Sequence, residues 1–272
     1  MEGAAPGTGL MAAKLPALFD AHLHPGGIPD ADLESMRFFG VVSAVAVAYA
    51  SPLPARSAEI FAHFEDILQT QLPRLERHGI RSYAALGIHP RCIPRRGLAE
   101  VLAELPRYFQ GGKVLAVGEI GLHHGGQAEE EAFAEQLDLA RKLSLRVLVH
   151  TPAREKERFT RRILTVLRAC GIPPRHILVD HANARTARLA LECGYFAGLT
   201  LHPEELRAER AVALIRKLGS ERLILNTDSG NGPGDIVALA RMVHLMTKAK
   251  LSGRVNERVA RKNAAQFFGI AD

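Results

Sequence analysis

The chain alternates eight short apolar runs with helical stretches, and this repeating order limits its fold more than any single motif does. The runs read as strands over Leu15–His24, Val41–Ala48, Ile80–Ile88, Lys113–Glu119, Leu145–His150, Ile177–His181, Tyr195–Leu201 and Arg222–Asp228. Helical signals fill the intervals: Asp30–Phe39, Ser57–His78, Gly97–Phe109 cut short by Pro106, and a stretch from Glu129 to Lys142 with acids first and bases last. Others span Glu155–Cys170, a short helix opened by Asn183 as its cap, Pro203–Leu218, and two between Pro233 and Phe268 divided at Ser252-Gly253. Alternating β and α units require a parallel sheet, and eight of them predict one closed (β/α)8 TIM barrel with its site at the C-terminal rim of the strands. A chain of 272 residues, 47% of them hydrophobic, can bury such a core in one domain. Residues 1–14 read as a loose tail ahead of a barrel domain over 15–272.

Five of the eight strands end in side chains that bind metals. His22 and His24 close the first, Glu119 the fourth, His150 the fifth, His181 the sixth and Asp228 the eighth. Residues two apart on a strand share a face, so the two imidazoles of His22 and His24 converge. Four histidines and two carboxylates exceed what one tetrahedral catalytic site takes. The set therefore predicts two divalent metal ions, zinc first, with manganese, iron, nickel or magnesium as alternatives. A carboxylate can bridge two cations about 4 Å apart, and such a pair activates water for attack on an ester-like bond.

The order and spacing of these residues carry a family resemblance. Asp20-Ala-His-Leu-His24, Gly87-Ile-His-Pro90, Val117-Gly-Glu-Ile-Gly-Leu122, His150, His181, Thr227-Asp228 and Asn263-Ala-Ala-Gln-Phe-Phe-Gly269 together resemble the TatD-like metal-dependent hydrolases of the amidohydrolase superfamily. His150-Thr-Pro152, Val179-Asp-His181, Gly198-Leu-Thr-Leu201 and Leu225-Asn-Thr-Asp228 look like a TatD-related branch best known from archaea. The resemblance implies that His22, His24 and Asp228 hold one metal, His150 and His181 the second, and Glu119 bridges, with Asp228 also accepting the proton of the attacking water. Two departures stand out. Pro152 occupies the position where nucleolytic members carry an arginine, and His123 replaces an aspartate. The lost arginine is a bidentate phosphate donor that a lysine replaces only as a point charge.

Around this set, His89, Arg91, His123 and His202 are candidate substrate contacts, with Arg154 and Lys156 as further cations near the rim. Asp20 reads as a supporting residue deeper in the barrel, and His63, His78, His176 and His244 as non-functional. The formal net charge of +6 and pI near 9.5 favour anionic substrates. The basic residues lie along helices without interleaved aromatics, which disfavours nucleic acid as the partner against a small anionic ester. No apolar run reaches the roughly 20 residues of a membrane helix, the N-terminus lacks a secretory pattern, and the three cysteines are far apart, so a cytoplasmic protein with no membrane contact is expected. Oligomeric state has no signal. Phosphoester hydrolysis leads, with carboxyl ester, lactone or cyclic amide hydrolysis as one alternative. An inactive metal-binding barrel acting as a binding protein is another.

Overall fold

A computed structural model describes residues 16–50 and 53–271, so the expected tail at 1–14 and Leu15 lie outside the described residues. Its eight strands are β1 (Leu18–Leu23), β2 (Val41–Val47), β3 (Arg81–Leu86), β4 (Val114–Gly121), β5 (Arg146–His150), β6 (Ile177–Val179), β7 (Phe196–Thr200) and β8 (Leu223–Asn226). All neighbours pair in parallel in sequence order. Closure comes just past the strand ends, where Asp228 N donates to His22 O at 3.0 Å and His24 N to Ser229 O at 2.7 Å. This is the expected (β/α)8 barrel.

Alternation along the strands sorts side chains into two layers. Leu148, Leu178 and Ile224 point into the barrel, while Val147, Val149, Ile177, Val179, Leu223 and Leu225 pack outward against the helices. The helices are α1 (Asp30–Phe38), α2 (Ser57–Asp66), α3 (Leu72–Arg77), α4 (Leu98–Glu104), α5 (Gln127–Lys142), α6 (Lys156–Ala169), α7 (Ala184–Glu192), α8 (Ala208–Leu218), α9 (Ala238–Lys248), α10 (Gly253–Glu257) and α11 (Asn263–Phe268). Phe268 stacks on Phe19 and Phe267 meets Phe196 edge-on, so α11 seals the end of the barrel opposite the predicted metal residues. Among the described residues no helix is long and apolar enough to cross a membrane.

Several boundaries differ from the sequence reading for local reasons. The expected helix Ser57–His78 is interrupted by a π-helical turn at Ile67–Gln71, because Pro73 has no N–H to continue the ladder. Strand β6 stops at Val179, two residues early, and β4 continues through Glu119 to Gly121. The stretch from Pro203 is not helical until Ala208, and the one from Pro233 not until Ala238. Residues 201–207 thus form a loop over the barrel mouth.

Candidate metal centre

The predicted ligands gather at the C-terminal ends of the strands. His22 Nδ1 lies 2.8 Å from Asp180 Oδ2, and His24 Nδ1 lies 3.0 Å from the carbonyl oxygen of Val47. A carbonyl only accepts and an ionised carboxylate only accepts, so both Nδ1 atoms carry a proton, and a cation taking the place of any second ring proton would meet the lone pairs of both Nε2 atoms. Those two Nε2 atoms are 3.2 Å apart. Asp228 Oδ1 stands 3.0 Å from one and 3.6 Å from the other, buried and outside hydrogen-bond geometry with either. Three lone pairs converging on one point is what a cation satisfies.

Glu119 links this group to the other histidines. Its Oε1 is 2.8 Å from His150 Nδ1 and 2.7 Å from His181 Nε2, while its Oε2 is 3.8 Å from both His22 Nε2 and His89 Nε2. His22, Glu119 and His181, and separately His22, His24 and Asp228, are close enough to hold an ion between them. His89, Glu119 and His150 are equally close. His89 Nδ1, however, accepts from the Arg91 amide at 3.0 Å, which places the ring proton on Nε2 and makes that nitrogen a donor.

The backbone at two of the predicted ligands departs from strand geometry. His181 and Asp228 both have φ of +52°, in the left-handed region that non-glycine residues rarely occupy. That turn is why β6 and β8 end before His181 and Asp228. Burial opposes charge throughout the cluster, and the groups charge one another regardless. Burial raises the Glu119 carboxyl, but His150, His181 and His22 together hold it well below the usual range. Burial lowers His22 and His181, yet Glu119, Asp180 and Asp228 push them up to about 9 and about 10. The carboxylates thus draw positive charge to the site, as the fit to a divalent cation requires.

Asp180 is the residue that sequence reasoning missed. Besides His22, it accepts from the His181 amide at 2.9 Å and from Asn226 Nδ2 at 2.8 Å. Gly198 opposite has no room for a side chain, since a Cβ there would lie 1.9 Å from Asp180 Oδ1. Its place beside His181 in Val-Asp-His was the one local hint, and it says nothing of these partners. Asp20, read as a supporting residue, accepts from Thr227 N at 3.0 Å and Thr227 Oγ1 at 2.6 Å, clasping β1 to the end of β8.

A cavity of about 150 Å³ opens over the cluster, lined by Glu119, His150, His181 and Asp228 together with the four candidate contacts His89, Arg91, His123 and His202. His22 is fully buried behind it, and His24 lines an adjoining cavity. His123 Nδ1 sits 3.1 Å from His150 Nε2, held there because Glu129 accepts from the amides of His123, His124 and Gly125 at 2.7, 3.0 and 2.9 Å. Glu129 therefore shapes the loop as well as complementing the start of α5. His124 is exposed and away from the cavity. Arg154 is exposed too, and Lys156 is committed to His181 O at 2.6 Å and Glu205 Oε2 at 2.9 Å. Asn183 forms a capping box with Thr186, as its position predicted.

A sequence model of one protein family, described as TatD related DNase, matches residues 19–248. The chain belongs to the TatD family. It is 29% identical over 255 residues to the uncharacterized metal-dependent hydrolase MJ0761 of Methanocaldococcus jannaschii, covering 93% of this chain and all of that one. The crystal structure of a TatD-like protein from Archaeoglobus fulgidus superposes with a TM-score of 0.79 at 29% identity, over 93% of this chain and 100% of that one. A TatD homologue from Escherichia coli, YJJV, shares the fold at a TM-score of 0.69 and 23% identity, over 93% and 98% of the two chains. As a member of the TatD family this protein is a metal-dependent hydrolase. The TatD relatives and the clustered histidines and carboxylates agree on that class of chemistry.

Proposed function

We propose that the protein hydrolyses a small anionic phosphoester at a two-metal site. The observation that carries the reading is the span of Glu119, one carboxylate with Oε1 against His150 and His181 and Oε2 turned toward His22. In this assignment His22, His24 and Asp228 hold one divalent ion, His150 and His181 the other, and Glu119 lies between them. Bound cations would supply an acidified water and positive charge for the attacked and leaving oxygens. Asp228 is the base: its Oδ1 lacks a hydrogen-bond partner, and His24, His22 and His181 overcome its burial to keep it ionised.

Substrate size follows from the rim. Among the described residues Arg91 is the one lysine or arginine lining the cavity, and Glu204 and Glu205 line it too. One arginine suits a single phosphoryl group, whereas Glu204, with Glu205 already paired to Lys156, leaves the rim without the run of cations that a polyanion such as nucleic acid requires. The relatives' family description names a DNase. Metal-reconstituted protein should therefore turn over phosphomonoesters or small phosphodiesters faster than single-stranded DNA or lactones, and elemental analysis should approach two transition-metal ions per chain. Efficient DNA degradation, a faster lactonase, or one ion per chain at saturation would reject the corresponding part.

His202 provides a sharper test. Its Nδ1 accepts from the Glu204 amide at 3.3 Å, so the proton sits on Nε2, a buried donor with no partner on the wall of the cavity. A substrate oxygen would satisfy it. One neutral hydrogen bond is worth about 0.5–1.5 kcal/mol net, so His202→Phe should lower kcat/KM by up to about tenfold at unchanged metal content. His202→Gln, which keeps a donor, should recover part of that loss. Wild-type kcat/KM in His202→Phe would remove this contact.

A further inference from the structure

A second cavity of about 410 Å³ adjoins the metal cluster between the ends of β1 and β2 and the loop after β8. Its walls include His24, Tyr49, His63, Asp66, Gln71 and Asn231. Tyr49 and Asn231 also line the 150 Å³ cavity over Glu119, so the two spaces adjoin across these two side chains, with His24 in the wall of one and Asp228 in the wall of the other. Small-molecule sites occupy roughly 300–1,000 Å³. The space over Glu119 has room for the reacting group and little else, and the larger space is where a substituent fits.

The walls define what that substituent is. Among the described residues no lysine or arginine lines the larger cavity. The nearby Arg74 stands behind the wall with its donors taken up, by Asp30, Pro25 O and Ile28 O at 2.6, 2.9 and 2.5 Å and by Gln71 Oε1 at 3.3 Å. Asp66 accepts from Gln71 Nε2 at 3.1 Å, and a carboxylate retains further acceptor sites after one such bond. His63 Nε2 accepts from the Tyr49 amide at 3.1 Å, which puts the ring proton on Nδ1 and makes His63 a neutral donor. Val47 and Ile67 add apolar wall. Such a surface accepts hydroxyl protons and covers a ring, and its unpaired carboxylate capacity repels a second phosphate.

We infer that this cavity binds the alcohol portion of the ester, an uncharged, hydroxyl-bearing ring of the size of a sugar or a nucleoside, while the phosphoryl group lies over Glu119 beside Arg91. The inference rests on the phosphoester reading and deepens it. Sequence reasoning set His63 aside as non-functional; the structure places it in the wall of this cavity.

Glycine geometry supplies the test. A Cβ at Gly27 would meet Gly230 O at 2.1 Å, and one at Gly230 would meet His24 O at 1.9 Å, so these two loops are in backbone contact and form a fixed rim. Gly26 is different. It has no positive φ, and a Cβ there would find Gln71 Nε2 at 3.9 Å, an ordinary contact. A large side chain at Gly26 therefore points at a wall residue without forcing the backbone to move. Binding of uridine and of methyl glucoside to the metal-reconstituted protein, followed by saturation-transfer NMR, should give a signal with at least one probe in the wild type and lose it in Gly26→Phe. Which probe binds separates nucleoside from sugar. The ratio of kcat/KM for the corresponding phosphate ester over methyl phosphate should fall at least about tenfold in Gly26→Phe, the scale on which pockets discriminate by size. Asp66→Lys should raise kcat/KM for a bisphosphate relative to the monophosphate, a gain that damage to the fold would not produce. Neither probe binding the wild type, equal binding in Gly26→Phe, or a wild-type preference for the bisphosphate would overturn the inference. Probe binding that is lost in Gly26→Phe, in a protein that turns over no phosphoester, would support the cavity assignment and overturn only the reaction.

Discussion

Asp228→Asn should reduce turnover by at least about two orders of magnitude at equal metal content, within the roughly 10²- to 10⁴-fold range of a general base. The substitution is a narrow one. Asp228 sits at φ +52°, and asparagine tolerates the left-handed region nearly as well as aspartate, so the turn after β8 survives. The amide keeps one ligating oxygen in place of Oδ1 or Oδ2, but neither of its polar atoms can take up the proton of an attacking water at neutral pH. Losing the negative charge also weakens the attraction of the His22, His24 and Asp228 group for a cation. The comparison therefore requires metal measured in the same samples, with turnover expressed per loaded site. A fully loaded Asp228→Asn protein with near wild-type kcat would end the assignment of the base. An inactive wild type across the whole ester panel would favour a barrel that binds metal without catalysis.

The second large effect is expected at Asp180, which contacts neither cavity but organises the residues that do. It is fully buried and holds His22 Nδ1, the His181 amide and Asn226 Nδ2 at once. Burial raises its carboxyl, and His181 and His22 more than offset that to keep it ionised. Truncation to alanine leaves an unpaired histidine and two unpaired donors in the interior. Breaking one side of a buried charged pair costs about 3–5 kcal/mol. For a chain of this size that corresponds to a Tm lower by roughly 6–20 °C, read on the metal-free proteins to keep metal binding out of the comparison. Metal affinity should fall about 10- to 100-fold, the usual consequence of losing the group that orients a ligating histidine. Asp180→Asn, which retains an acceptor for one donor, should be intermediate in both measurements. Unchanged Tm and unchanged metal affinity in Asp180→Ala would show that His22 is oriented by something else.

These two aspartates mark the division between what was legible in the chain and what was not. Apolar runs of strand length alternating with helical periodicity are local patterns, and the parallel order of a βα repeat follows from them by connectivity alone. Once the strands are parallel, every residue that ends one lies on the same rim, so His22, His24, Glu119, His150, His181 and Asp228 could be grouped from their positions along the sequence. Even Asn183 as a cap was a local matter, settled by Thr186 three residues on. Asp180 could not be placed this way. Its role depends on partners 158 and 46 residues distant and on the absence of a side chain at Gly198, which no local pattern reveals. The tautomers of His24, His89 and His202 were likewise set by whichever carbonyl or amide the fold brought to Nδ1. Lys156 looked like a substrate cation until tertiary contacts tied it to His181 O and Glu205. The cavity beside His24 arises from four separate segments, around Gly26, Tyr49, His63 and Asn231, that meet only when β8 closes on β1. Ligand identity is thus a property of single positions on a repeating scaffold, whereas protonation, orientation and the shape of the space beside the metal residues are properties of long-range packing.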